Sequence, residues 1–191
     1  MTRDQLEACL NVVGRTSSKG GMLGIKYCVT EDDRVLECVG GSTNPLCVTQ
    51  VVPLKLVLSE LQLRTAALLT VEAFVSGTNI SSKPEIEYLL YLGGSRQIRQ
   101  TLERVRRYMG KPYLVITFCS EPGETQARKL PEDLDCRTVD LGGVMNPSLR
   151  DAAEFYGSPR KTLEGILKDA LTKMNYLKLQ TRKSPAEHRT T

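Results

Sequence analysis

Residues 79–105 read NISSKPEIEYLLYLGGSRQIRQTLERV, and this stretch decides the fold. It predicts two short helices joined by a tight turn. Pro84 is tolerated in the first turn of a helix, so we expect the first helix to span residues 83–92. The double glycine Gly93–Gly94 then ends it, because glycine readily adopts the left-handed conformation that terminates helices. The second helix follows directly and ends before Gly110.

Apolar residues at helical spacing predict the buried faces of this helical pair. The expected core residues are Ile86, Leu89 and Leu90 in the first helix, and Ile98, Leu102, Val105 and Met109 in the second. The turn leaves Arg96 and Gln97 at the start of the second helix, facing outward. We hypothesise that these two residues lie beside Asn79 and Ile80, which precede the first helix.

The rest of the chain predicts one domain of the α+β class, or irregular α/β, with a central mixed sheet packed by helices. The predicted strands are 22–29, 35–39, 46–57, which is bent or ended at Pro53, 112–119 and 137–141. The further helices are 58–76, 147–156 and one opened by Ser158–Pro159. Segment 112–119, PYLVITFC, is the most apolar strand and is expected to be central. The buried stripe of the last helix is predicted to be Leu163, Ile166, Leu167, Ala170, Leu171 and Met174.

The composition is that of an ordinary globular protein, with 40% hydrophobic and 25% charged residues among 191. This length suits one domain, predicted at residues 20–179 between an N-terminal extension, 1–19, and a basic C-terminal tail, 180–191. No apolar run reaches the roughly 18 residues that a membrane span needs, and the N-terminus lacks the apolar region of a secretory signal. We therefore expect a cytoplasmic protein without a membrane partner.

The sequence offers few groups for catalysis. Its one histidine, His188, is among the last four residues, so Ser–His pairs, Cys–His pairs and mixed zinc sites are not expected. The six cysteines form no C-x-x-C pair, which argues against a four-thiolate metal site. Buried, inert thiols are predicted, and intracellular disulfides are the alternative. No glycine-rich phosphate loop of the Walker type is present, so we expect neither an enzyme nor a bound cofactor or metal.

Basic charge is concentrated in one segment. The chain carries a net charge of +4, yet residues 96–111 alone hold six basic residues against one acidic residue. The six are Arg96, Arg99, Arg104, Arg106, Arg107 and Lys111. Such a cluster is typical of a surface that binds a polyanion, with RNA or DNA the leading partner. The alternative is an ordinary solvated face opposite the apolar stripe of the same helix.

The opening stretch also resembles a known family signature. Asn-Ile and a small residue are followed by a glutamate, an apolar Leu-Leu-Tyr core, a small-residue turn and Arg-Gln-Ile. The matching residues are Asn79, Ile80, Ser81, Glu87, Leu89, Leu90, Tyr91, Gly93, Arg96, Gln97 and Ile98. This pattern is similar to that of the small non-catalytic subunit of the KEOPS (EKC) complex, the PRPK-binding protein family. The resemblance extends over roughly residues 22–178, and the arginine-rich, cysteine-bearing pattern favours an archaeal member.

The resemblance implies a function without chemistry of its own. The KEOPS complex installs the threonylcarbamoyl group on adenosine in tRNA, and this subunit binds the tRNA 3′ CCA end and the complex's small kinase/ATPase. The RNA site carried over from the family consists of Asn79, Ile80, Arg96 and Gln97. Charge and proximity in sequence add Lys83 and Arg99 to it. Amides can contact the edges of unpaired bases, an aliphatic side chain can contact a base face, and arginine can bind phosphate.

Two classes of function therefore stay open at this point. One is recruitment of tRNA through its 3′ end. The other is a protein–protein adaptor that binds and activates the kinase and has only non-specific affinity for RNA. For that interface the sequence predicts apolar anchors at Leu149, Phe155 and Tyr156, together with exposed residues of helix 159–176.

Overall fold

The structure is a computed structural model that describes residues 23–43, 45–120, 130–131, 133–139, 141 and 145–182. Within these ranges five strands form one sheet: β1 (Gly24–Thr30), β2 (Gly40–Thr43), β3 (Leu46–Pro53), β4 (Tyr113–Cys119) and β5 (Arg137–Thr138). The helices are α1 (Glu60–Ser76), α2 (Pro84–Gly93), α3 (Ile98–Tyr108), α4 (Leu149–Tyr156) and α5 (Leu163–Arg182). The predicted α+β class is confirmed.

The sheet has the order β2-β3-β4-β1-β5, and every neighbouring pair is antiparallel. The apolar strand β4 is central, as its composition predicts, because it lies between β3 and β1. The expectation of a mixed sheet is wrong. The helical segment between β3 and β4 returns the chain beside β3 in the opposite direction, with Val52 opposite Leu114, so no parallel pair forms.

Helices cover one face of this sheet and contribute to the main hydrophobic core. The sheet side chains facing them include Val48, Ile116 and Phe118, each with 0% exposure. A smaller apolar cluster, which includes Val35 and Leu134, covers the other face. The strands therefore bury both faces, which is why β3 and β4 are apolar at nearly every position.

One predicted strand is a 3-10 helix instead. Residues 35–39 were expected to be extended, but Asp33–Cys38 is helical. The Asp32 carboxylate caps this turn by accepting a hydrogen bond from the Arg34 amide at 2.9 Å, and Val35 and Cys38 are buried at helical spacing. The next strand is β2, which the sequence predicts as loop. Its Gly41 lies close to α2, where a β-carbon would come within 2.6 Å of Pro84 Cγ.

The helices occur where the periodicity places them, with two corrections to their buried faces. Ile98 and Leu102 were expected in the core but are 36% and 37% exposed. Helix α3 buries Val105, as predicted, together with Thr101 and Tyr108, so its inner face includes a polar residue that an apolar pattern overlooks. In α5, Leu163 is 41% exposed, whereas the remaining predicted residues of its stripe are buried or partly buried.

The ends of the predicted domain are only partly described. Helix α5 continues to Arg182, so residues 180–182, which are predicted to belong to the tail, are helical. The extension 1–19 and residues 183–191 lie outside the described residues. Among the helices described, none combines the length and the apolarity that crossing a membrane requires.

Four cysteines form two disulfides rather than inert thiols. Cys47 on β3 is bonded to Cys119 on β4, and Cys28 on β1 is bonded to Cys136 just before β5. The alternative interpretation, disulfides, is therefore the one that the structure has for these residues. Cys38 is a buried thiol whose sulfur donates to the Arg34 carbonyl oxygen, and Cys9 lies outside the described residues.

Candidate RNA-binding surface

The segment from Thr78 to Lys83 connects α1 to α2, and a left-handed glycine determines its direction. Gly77 ends α1 with φ of 65°, and the Thr78 amide then donates to the Ala73 carbonyl oxygen at 2.9 Å. The Asn79 side chain donates through Nδ2 to the Ser81 carbonyl oxygen at 2.9 Å. The chain is therefore folded back on itself, which leaves Asn79 and Ile80 partly exposed.

A buried carboxylate holds this segment, which we call the Asn79 loop (residues 79–82), against α2. The Glu87 Oε2 atom accepts hydrogen bonds from the Ile80 amide at 2.9 Å and the Ser81 amide at 2.7 Å. Glu87 is fully buried, and its other oxygen has no hydrogen-bond partner among the described residues. Burial raises the pKa of this carboxyl, while the two amides and the charge of Arg96 oppose the rise.

The turn that carries Arg96 and Gln97 is equally defined by its backbone. Gly94 ends α2 with φ of 60°, and the Ser95 amide donates to the Leu90 carbonyl oxygen at 3.1 Å. The Ser95 hydroxyl then accepts from the Gln97 amide at 3.2 Å. Both Arg96 and Gln97 are exposed, so their side chains are available to a ligand.

The Asn79 loop and the turn that carries Arg96 both interact with the Glu87 carboxylate. The Asn79 loop is hydrogen-bonded to this carboxylate, and the guanidinium of Arg96 is near enough to favour its ionised form. The backbone of Ile80 and Ser81 is thus hydrogen-bonded to a carboxylate whose pKa the charge of Arg96 lowers, although 16 positions separate residues 80 and 96. Lys83 is exposed at the start of α2, next to the Asn79 loop in the chain.

Most of the basic residues of the α3 segment have partners in the protein. Arg99 pairs with Glu103 at 2.9 Å, Arg107 with Glu154 at 3.5 Å and Lys111 with Asp33 at 2.8 Å. Arg104 donates to the Phe155 carbonyl oxygen at 3.1 Å. Among the described residues, Arg96 and Arg106 have no ion pair or hydrogen-bond partner. The surface is thus less basic than the sequence suggests, and among the described residues Arg96 is the arginine of the candidate site without such a partner.

Two of the three predicted kinase anchors belong to the core. Phe155 and Tyr156 are 1% and 2% exposed, and the Tyr156 hydroxyl donates to the Leu56 carbonyl oxygen at 2.9 Å. The prediction that they form a surface contact is wrong, because α4 turns both rings inward. Leu149, at 39% exposure, is the one of the three that is accessible.

The sequence analysis missed other exposed apolar side chains. Tyr176 and Leu179 on α5 are 62% and 55% exposed, and Val75 on α1 is 81% exposed. For Tyr176 and Leu179 the available signal was their position outside the buried stripe of Ile166, Ala170, Met174 and Leu177. Val75 had the opposite signal, because it recurs at seven-residue spacing with Leu61 and Leu68, and that expectation of burial is wrong. Separately, an apolar groove of about 430 Å³ lies between α2 and α3, with Leu89, Leu102 and Met109 among its lining residues. It explains the partial exposure of Leu102.

Metal chemistry finds no support at this surface or elsewhere in the part of the chain that the structure describes, where no cluster of histidine, cysteine and carboxylate groups could hold an ion. No model of a known protein family matches the chain, and no curated protein matches it. The family assignment therefore stays a prediction that depends on the residues of the Asn79–Ile98 stretch.

Proposed function

We propose that this chain is the non-catalytic subunit of a KEOPS complex that binds the 3′ CCA end of tRNA and the complex's small kinase/ATPase, in the cytoplasm. Such a subunit supports threonylcarbamoyl modification of tRNA without catalysing it. The observation that supports the proposal is that Glu87 on α2 holds the Ile80 and Ser81 amides, while the turn after the same helix leaves Arg96 exposed.

The side chains at this surface match what a short single strand offers. Asn79 uses Nδ2 within the loop, so its carbonyl oxygen can accept from a base amino group. Gln97 is exposed and has both a donor and an acceptor for a base edge, while Ile80 supplies an apolar surface for a base face. Arg96 supplies the charge for a phosphate, and the guanidinium binds phosphate oxygens in pairs.

The first experiment compares whole tRNA with the same tRNA lacking its CCA end, at two salt concentrations. A tail-reading site loses affinity when only the tail is removed. Arg96→Glu should abolish this difference, while Arg106→Glu, which changes the other unpaired arginine, should weaken both RNAs alike. Salt should weaken binding in proportion to the few phosphates contacted. Equal, weak and salt-sensitive binding of both RNAs by the wild-type protein would refute the tail-reading function.

A second candidate function is the kinase adaptor with only non-specific RNA affinity. The observation that favours it is the exposure of Tyr176 and Leu179, which are three residues apart on one face of α5 and can together form an apolar contact, with Leu149 exposed on α4. Binding to the purified kinase subunit, measured with and without tRNA, tests it. Loss of kinase binding in Tyr176→Glu, with RNA binding retained, would assign that contact to α5.

A further inference from the structure

The Glu87 carboxylate is the main polar link between the Asn79 loop and the helical body. The other hydrogen bonds of the loop are local, as those from Asn79 Nδ2 to the Ser81 carbonyl oxygen and from the Lys83 amide to the Ser81 hydroxyl. Only the bonds to Glu87 join the backbone of residues 80 and 81 to a side chain in the middle of α2. These two bonds are therefore the polar interactions that fix the loop on the helix, in addition to the packing of Ile80 against the main core.

A carboxylate at a fully buried position destabilises the folded state unless other groups compensate for its burial. A buried charge loses its hydration, and an apolar side chain of similar size would avoid that cost. A carboxylate also accepts stronger hydrogen bonds than a neutral oxygen does, about twice as strong. The buried carboxylate thus lies where two backbone amides need a strong hydrogen-bond acceptor, and the positive charge of Arg96 favours its ionised form.

We propose that Glu87 is a positioning residue for RNA, which fixes the Asn79 loop so that Asn79 and Ile80 face the tail bound at Arg96. This inference rests on the proposed function, and it assigns to Glu87 a role that involves no contact with RNA. Glu87 lies beneath the surface, with 0% exposure. Its replacement should therefore change selectivity for the tail and leave the general attraction of the basic surface intact.

The test compares the wild-type chain with Glu87→Gln and Glu87→Leu, with Glu85→Gln as the matched control. Glu85 is a partly exposed carboxylate on the same helix whose side chain accepts no hydrogen bond from the loop. Two quantities are measured for each variant. One is amide hydrogen exchange across residues 78–90, and the other is the ratio of affinities for tRNA with and without its CCA end.

In Glu87→Gln the amide oxygen can still accept both bonds but without the charge. We expect exchange at Ile80 and Ser81 to rise about tenfold and the affinity ratio to fall a few-fold, because a charge-assisted hydrogen bond is about twice as strong as a neutral one. Glu87→Leu should bind tRNA with and without its CCA end equally well, and Glu85→Gln should match the wild type in both measurements. Affinity for the tail-less tRNA should stay within twofold throughout.

The outcomes separate the two proposals. If both Glu87 variants exchange as the wild type does, the carboxylate does not hold the loop and the inference is overturned. It is also overturned if exchange rises while the affinity ratio stays constant. Should Glu87→Leu fail to fold, Glu87→Gln decides alone by the same criteria. If the wild-type chain binds tRNA equally well with and without the CCA end, the proposed RNA function is refuted. The hydrogen-exchange data then still decide whether Glu87 holds the loop.

Discussion

Gly94 lies directly against Lys173: a β-carbon on Gly94 would come within 2.6 Å of the Lys173 β-carbon. The same glycine has φ of 60°. Lys173 in turn donates through Nζ to the Gly157 carbonyl oxygen at 3.0 Å, which ties α5 to the end of α4. The turn before Arg96 is therefore fixed in two ways: by the left-handed conformation of Gly94 and by the packing of Lys173 against it.

This contact predicts that Gly94→Ala destabilises the protein more than Gly77→Ala does. Both glycines are left-handed, with φ of 60° and 65°, but no atom lies within 4 Å of a β-carbon at Gly77. The conformation alone costs about 1–2 kcal/mol, so Gly77→Ala should lose about that much and Gly94→Ala visibly more. Urea unfolding measures both. Equal losses would mean that the Lys173 contact relaxes without cost.

The disulfides predict a stability that depends on redox state. Cys28–Cys136 and Cys47–Cys119 close loops of 108 and 72 residues, and a bridge of this kind contributes roughly 2–4 kcal/mol. Reduction should lower the melting temperature of the wild-type chain. Cys119→Ala and Cys136→Ala should each lower it under oxidising conditions, and the combined variant should no longer respond to reductant.

Cys38→Ala is the matched control for these variants. Cys38 is buried but is not part of either disulfide, so its replacement should leave the response to reductant unchanged. A titration of thiols in the unfolded, non-reduced protein counts the bridges independently. Six reactive thiols in that titration would show that the cysteines are reduced.

The fold class and the central strand follow from sequence because both depend on local apolar density. Segment 112–119 could be recognised as central since both of its faces are buried. The buried face of α3 could not, since it contains Thr101 while Leu102 borders a groove. Helical periodicity shows on which side of a helix the apolar residues lie. Which residues become buried depends on the elements that pack against the helix, and the sequence does not show these.

For the candidate site, too, some features could be predicted from the sequence and others could not. Asn79, Arg96 and Gln97 enter the candidate site through the family resemblance, and their partial or full exposure is compatible with that prediction. The role of Glu87 is not apparent, because a glutamate on a helix is ordinarily solvated and only the path of the loop brings two amides to it. Phe155 and Tyr156 were misassigned since an aromatic pair looks the same in a core and at an interface.

The raised pKa of Glu87 predicts a pH dependence of stability. A carboxyl whose pKa is higher in the folded state binds its proton more tightly there. Its contribution is therefore fully present below the ordinary value of 4.5 and is lost as pH rises through the raised, folded-state pKa. Glu87→Gln cannot ionise, so the stability of the wild type relative to this variant should fall across that interval.

Urea unfolding at several pH values from 4 upward, on both chains, measures this difference. Glu85→Gln serves again as the control, and its stability relative to the wild type should show no matching fall. A difference between wild type and Glu87→Gln that stays constant with pH would mean that Glu87 has the same pKa folded and unfolded. Burial would then be offset completely by the two amides and Arg96.

Tyr156 and Tyr176 predict opposite behaviour for one residue type in consecutive helices. Tyr156→Ala removes a ring with 2% exposure and its hydrogen bond to Leu56, so we expect a loss of about 3–5 kcal/mol in the free energy of unfolding. Tyr176→Ala removes a ring that is 62% exposed, and surface changes of this kind cost within about 0.5 kcal/mol. Any loss of kinase binding in Tyr176→Ala therefore reports the contact itself. In Tyr156→Ala the same loss would report unfolding, and a thermal melt of each variant beside the binding assay separates the two causes.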